Sequence, residues 1–463
     1  FPAAPTRGIP EPDEEDATGG GPGNEDAGTE DRGTDAGVDF DVIQFIWEQG
    51  LFDRHGLRTV DGEMVEVMQA GTIQGNSGPD LVDAALRIGG QLWAGTVEVH
   101  VRASEWFAHG HHTDPAYDNV VLHAVWVHDM DVRTSGGGRP PAVVLKDLVD
   151  PQRLAVFADL MKRKAWVPCE GQLAGVGEQV VDDQLEQVLQ ERLERKAAEV
   201  QLLHERLGND PLLTLHHMLL RAMGGKVNAE PFSMLAHALP IKALLKVRDD
   251  AVRAEALLFG QAGLLQVDFL DDYPRLLQRE HALLARMHGL RPAPVAAWKF
   301  GRLRPSAFPS LRIAQYAQLI MQHGGILMDL LETVDVHQLT AMLNVTASTY
   351  WDTHHRFDQP SPDAPKRLGS DAVEHILINA VVPLRLGLGR SLGRKHMSTS
   401  AVELLRQLPA ERNVIMRGWA TLGIQAGDAA RSQALIELKN HTCALRHCLT
   451  CGIGRDLLKR PTL

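Results

Sequence analysis

The stretch Ser77-Gly78-Pro79-Asp80, followed by the apolar run Leu81 to Ile88, the pair Gly89-Gly90 and then Gly95-Thr96-Val97-Glu98-Val99-His100, decides how the first part of this chain folds. Pro79-Asp80 opens one strand over residues 81–88. Two glycines between two β-prone runs predict a tight hairpin. A second strand over residues 91–101 then carries Glu98 and His100. Strand side chains alternate with a period of two, so these two share a face. Antiparallel pairing through the turn brings Asp80 toward them. Two carboxylates at that separation suit a hard divalent cation, Mg²⁺ or Mn²⁺. A third polar group on the same face can position or activate a water. The plainer reading stands beside it: Pro-Asp is ordinary turn chemistry, and Val-Glu-Val-His-Val is an ordinary half-exposed strand.

The surroundings extend this pattern. Residues 39–52 carry apolar side chains at 42, 43, 45, 46, 47, 51 and 52, which predicts a buried helix ending near Gly50. Residues 63–68 form a short alternating strand with Glu66. Residues 104–117 are polar and aromatic. The density of His109, His111, His112, His123 and His128 admits a zinc site, but no HExxH-like spacing accompanies it, and His109 and His111 read rather as solvated loop histidines. Residues 119–128 form an apolar, β-prone strand, in which His123 reads as a satisfied core histidine. A further strand resumes at 142–145. Helix, strand, strand, strand, short helix, strand is an α/β order, expected over residues 39–150.

Charge is unevenly spread. The net charge is -12, but residues 1–38 hold ten acids and two bases, so the rest of the chain carries only -4. That segment is rich in Gly and Pro, and is expected to be a disordered acidic tail. It lacks the basic start and apolar core of a signal peptide. No run approaches the ~18 apolar residues of a membrane span. A cytoplasmic protein is expected, with 44% apolar composition sufficient for two or three domains. Residues 151–463 change character. Helical periodicity runs through 180–207, 212–223, 251–265, 273–287, 311–323 and 371–384, punctuated by prolines. A mostly helical domain is expected there.

Four cysteines are present: Cys169, Cys443, Cys448 and Cys451. The last three are spaced C-x4-C-x2-C. Close thiolates in a chain with so few cysteines point to a metal rather than to disulfides. Cys448 and Cys451 suit one corner of a Zn²⁺ site. With Cys443 the spacing matches three ligands of a plant-type iron–sulfur arrangement. Cys169 is the candidate fourth ligand, and His441 and His447 compete for that place in a zinc site. Buried free thiols are the plain alternative.

Two acid-free stretches bear on partners. Residues 299–328 hold Arg302 and Arg304, and residues 375–402 hold Arg390 and Arg394, the latter among glycines. Arginine gives bidentate contacts to phosphate, so these four are candidate nucleic-acid contacts. A solvated basic face balanced by acids from elsewhere is the competing reading. No P-loop, dinucleotide-binding fingerprint or G-x-S-x-G elbow occurs.

With these residues in place, the chain resembles the bacterial family known as domain of unknown function 2851. The likeness runs through FIWEQGLF at 45–52, GPD at 78–80, LWAGTVEVHVRASEW at 92–106, HHTDPAYDNVVLHAV at 111–125 and VPCE at 167–170. It continues through KVNAEPF at 226–232, WKFGRLRPSAFPSLRIAQYA at 298–317, ILINAVVPL at 376–384 and CALRHCLTCGIG at 443–454. That family label implies no reaction. The Asp80…Glu98-Val99-His100 arrangement also resembles the PD-(D/E)xK nuclease core, with His100 where that superfamily usually has lysine. This resemblance implies a restriction-endonuclease-like mixed sheet. It implies Glu66, Asp80 and Glu98 as metal ligands or their support, and His100 as partner of the attacking water. The distant cysteines are similar to those that staple iron–sulfur nucleases, although here the first one follows the core. The expectation is a metal-dependent nuclease. The alternatives are a non-catalytic nucleic-acid-binding or scaffold protein that kept the fold, and an interaction protein stabilised by zinc or a cluster.

Overall fold

The computed structural model describes residues 38–73, 78–291 and 298–460. Of the acidic segment 1–38, expected to be disordered, residues 1–37 lie outside the described residues, and Val38 is buried. The chain divides into two compact units, one through Asp159 and one from Leu160 to Arg460.

The first unit opens with helix α1 (Phe40–Gln49). Asp39 caps it by accepting from the Val42 amide at 3.1 Å, and it stops at Gly50. Strands β1 (Val65–Gln69), β2 (Thr72–Ile73), β3 (Leu81–Ile88), β4 (Gln91–Arg102), β5 (Val120–Val127) and β6 (Ala142–Val144) form one mixed sheet. Its order is β1-β3-β4-β5-β6, with β2 also on β3. The β3–β4 hairpin is antiparallel, and Ile88 faces Gln91 across Gly89-Gly90. Both turn glycines have positive φ (57° and 88°), which the tight turn demands.

From β4 onward the sheet becomes parallel. A parallel neighbour requires a crossover, here residues 103–119 with helix α2 (Glu105–Ala108). The register sets Glu98 opposite His123 and His100 opposite Val125. Paired residues share a face, so His123 joins Glu98 and His100. Helix α1 packs on β4 and β5, while the crossover folds over the Glu98/His100 face, with Trp106 against His100. Both faces of β4 are therefore covered over Val97–Val101, and the half-exposed alternation expected there is absent. Trp106 anchors the crossover. It is fully buried with Tyr117, Val120 and Val132, and its indole N–H donates to the Arg133 carbonyl at 2.9 Å. Gly95 has a steric role. A Cβ there would lie 2.5 Å from the Asn119 carbonyl oxygen, where β4 meets the start of β5.

The second unit is helical, as expected. After α3 (Pro151–Lys162), which crosses the boundary, come α4 (Glu178–Arg206), α5 (Pro211–Met223) and further helices that include Ala251–Gln261, Asp272–His288 and Pro309–His323. Two π-helical stretches occur, at Leu377–Val381 and Leu438–Cys443. The run Ser370–Ser391 is one helix long and apolar enough to cross a membrane by length and composition. The sequence pattern marks residues 371–384 of it as helical. In the fold 78% of its apolar window is buried within the protein, as in a core helix.

Candidate metal centre

The centre of the first unit is built on β4. Glu98 and His100 are 3% and 2% exposed, and His123 from β5 is completely buried. The crossover adds His109, just after α2, and His111, which is 6% exposed. His111 stacks on Tyr117 with ring centroids 3.8 Å apart, and this fixes its ring. Glu98 Oε1 lies 3.1 Å from His111 Nε2 and 3.8 Å from His100 Nε2. His100 Nε2 lies 3.2 Å from His109 Nδ1. One ring nitrogen from each of His100, His109 and His111 falls within 4.8 Å of the other two.

Those separations have a physical meaning. Four ligands at about 2.0–2.1 Å from a tetrahedral ion stand about 3.4 Å apart. The distances of 3.1, 3.2 and 3.8 Å bracket that edge. An imidazole-rich donor set with one carboxylate suits Zn²⁺ or Fe²⁺ better than Mg²⁺, which prefers oxygen throughout. The ring of His100 is also oriented from behind, with Nδ1 2.8 Å from His123 Nε2. When His100 Nδ1 carries the proton and donates to His123, Nε2 is the lone-pair atom that faces the cluster. A ligating histidine is usually held this way.

Burial favours neutral rings. It holds the His100 imidazole well below its ordinary value, and the neighbouring His123, His111 and His109 push the same way. His123 falls to about 3, again chiefly through burial. Neutral imidazole is the ligating form.

The expected site residues are placed as follows. Asp80 and Glu98 meet: the Asp80 amide donates to Glu98 Oε2 at 3.0 Å. Asp80 Oδ2 accepts from the Val99 amide at 3.0 Å, so this carboxylate grips the backbone of β4 beside Glu98. Glu66 lies on β1, 55% exposed and 3.6 Å from Arg87. His109 and His111, read from sequence as solvated, are instead drawn into the cluster. The crossover folds back on the sheet, and burying Trp106 and Tyr117 carries the histidines inward. The one sequence signal was the density of histidines between residues 100 and 128.

A family model described as a protein of unknown function, DUF2851, matches residues 41–414, most of the chain. The chain belongs to that family. The match takes in Glu98, His100, His109, His111, His123 and Cys169, and it ends before Cys443, Cys448 and Cys451. No curated protein and no solved structure matches the chain.

In the second unit the four arginines fall into two pairs. Arg390 holds Glu194 through two contacts of 2.6 and 2.5 Å, and Arg394 reaches Glu332 at 2.5 Å. Arg302 and Arg304 are exposed, with no ion pair among the described residues. Arg302 has φ of 61°, a left-handed conformation that costs a non-glycine residue about 1 kcal/mol. A separate open cleft of about 620 Å³ in this unit is lined by Lys226, His217, His237, His375 and Asn379. Other cations on its wall are already met, Lys196 by Glu199 and Arg221 by Glu230. The converging donors of the first unit make the stronger candidate site.

Proposed function

We propose that the first unit is a metal-dependent, nuclease-like hydrolytic domain. Its divalent ion is held by Glu98, His100, His109 and His111, and its substrate class is the phosphodiester of nucleic acid. The convergence of these four donor groups carries the reading. The order helix, antiparallel hairpin, crossover and parallel strand supports it, as does the meeting of Asp80 with Glu98. A bound ion in this donor set would supply Lewis-acid chemistry to a phosphoryl oxygen. The protein's own contribution is positional. Asp80 locks the β4 backbone beside Glu98, His123 sets the tautomer of His100, and Trp106 and Tyr117 hold the crossover closed. The half-buried His109 marks the side from which a substrate approaches. Within the second unit Arg302 and Arg304 are the more available arginines for a phosphate backbone, because Arg390 and Arg394 would first have to release carboxylates. The cytoplasm, a reducing compartment, suits four cysteines without a disulfide.

The depth of Glu98 and His100 favours one second reading, a closed structural ion in a non-catalytic nucleic-acid-binding scaffold. Structural sites are saturated by protein ligands, whereas catalytic sites keep an open position. Metal-loaded full-length protein should be assayed on single-stranded and duplex DNA and RNA beside His111→Ala. Cleavage that needs Zn²⁺ or Fe²⁺ and disappears in the variant supports the enzyme. Metal binding without cleavage, together with salt-dependent nucleic-acid binding, supports the scaffold. Absence of metal binding refutes both.

A further inference from the structure

The second unit gathers all four cysteines of the chain. Cys169, Cys448 and Cys451 are buried, Cys443 is half-buried, and none forms a disulfide. The thiols are close enough to act on one another's charge. Burial pushes Cys169 up to about 12, with Cys451 and Cys448 adding to the effect. Burial also raises Cys443, which feels Cys451, Cys169 and Cys448. Cys448 is raised to about 11 by burial and by Cys451. Raised thiols are neutral in the buried space, and a bound cation would convert them to ligating thiolates.

The chain works to bring them together. Arg446, between Cys443 and Cys448, has φ of 58° and turns its guanidinium back onto the segment before Cys169. It donates to the carbonyls of Leu160 at 3.2 Å, Arg163 at 3.1 Å and Met161. Trp166 lies under the Lys439 ammonium at 5.3 Å, and Gln184 of α4 accepts from the Gly452 amide. Cys451 sits at the start of the helix Gly452–Lys459; burial raises its thiol, and the amides of Gly454 and Ile453 act against that rise. Amide donors of that kind stabilise a thiolate.

Two observations select the occupant. His441 and His447 are exposed, and His441 Nε2 lies 3.9 Å from Glu437, so the ligand set is all sulfur. Among the described residues no three cysteine sulfurs lie within 4.8 Å of one another; the histidine set alone meets that spacing. Around a single zinc ion the sulfurs would stand about 3.8 Å apart. In a four-cysteine cluster each thiolate can bind a different iron, so the sulfurs stand farther apart.

We propose that Cys169, Cys443, Cys448 and Cys451 bind an iron–sulfur cluster that staples the segment following α3 to the C-terminal end of the second unit. The test is full-length protein purified anaerobically, assayed for iron, acid-labile sulfide, zinc and visible absorbance. Labile sulfide in the wild type, with a sulfur-to-iron absorbance band, is the expected result. Cys448→Ser and Cys451→Ser should lose both. Should these variants fail to fold, the wild-type sulfide assay still decides. His109→Ala/His111→Ala should keep its sulfide, because an ion at the histidine cluster carries none; failure of the proposed function therefore leaves this result untouched. A single zinc released by Cys451→Ser, or neither zinc nor labile sulfide in the wild type, overturns the proposal.

Discussion

Removing one crossover histidine should weaken metal binding more than removing the Asp80 charge. In the structure His111 Nε2 lies 3.1 Å from Glu98 Oε1, whereas the Asp80 carboxylate accepts from the Val99 amide and it is the Asp80 backbone amide that donates to Glu98. A four-ligand zinc site is worth about 10–16 kcal/mol, so one ligand is worth about 3 kcal/mol, roughly a hundredfold in affinity. A supporting group costs about 10–100-fold. Asp80→Asn keeps one oxygen to accept from Val99 and should fall at the mild end of that range. The expected order of loss is His111→Ala and Glu98→Gln first, then Asp80→Asn, with Glu66→Gln without effect because Glu66 is exposed beside Arg87. Competition with a chelator of known affinity, with Zn²⁺ as the probe, measures each. Co²⁺ substitution should also show the intense visible bands of a tetrahedral ion, and these should vanish in His111→Ala. The reasoning is refuted if Asp80→Asn abolishes binding while His111→Ala leaves it intact. That outcome would restore a two-carboxylate site.

Three further outcomes follow from particular contacts. Trp106→Ala should destabilise the first unit by about 3–5 kcal/mol, read as a shift in urea midpoint, and should weaken Zn²⁺ binding because His111 loses its wall. Glu255 is fully buried, accepts from Ser348, Tyr273 and Trp351, and is raised by burial from 4.5 to about 7. The folded state therefore keeps a proton that the unfolded chain releases. The associated stability is fully present below pH 4.5 and is lost as pH rises through about 7, a change of about 3 kcal/mol. Buried histidines such as His123, His216 and His217 gain stability with pH over part of that range in both proteins, so the difference in urea midpoint, wild type minus Glu255→Gln, is what should fall as pH rises through about 7. Neutralising Arg302 and Arg304 should flatten the salt dependence of nucleic-acid binding in filter assays, while neutralising Arg390 and Arg394 should change it less. Equal effects would show that the Glu194 and Glu332 pairs do not compete with phosphate.

Local chemistry was legible in the sequence alone. Gly50 ended α1, Gly89-Gly90 set the hairpin, and the period of two put Glu98 and His100 on one face, because each depends on residues only a few positions apart. The helical character after residue 150 was readable for the same reason. What the local pattern did not contain was pairing across distance. The parallel register that sets His123 beside Glu98 and the fold-back that turns His109 and His111 inward were decided by tertiary packing. So were the use of Asp80 on a backbone amide and the capture of Arg390 by Glu194, 196 positions away. A loop histidine and a ligand histidine have the same sequence. They differ in whether a tryptophan such as Trp106 gains enough by burial to pull the segment onto the sheet, and that gain exists only once both surfaces have formed.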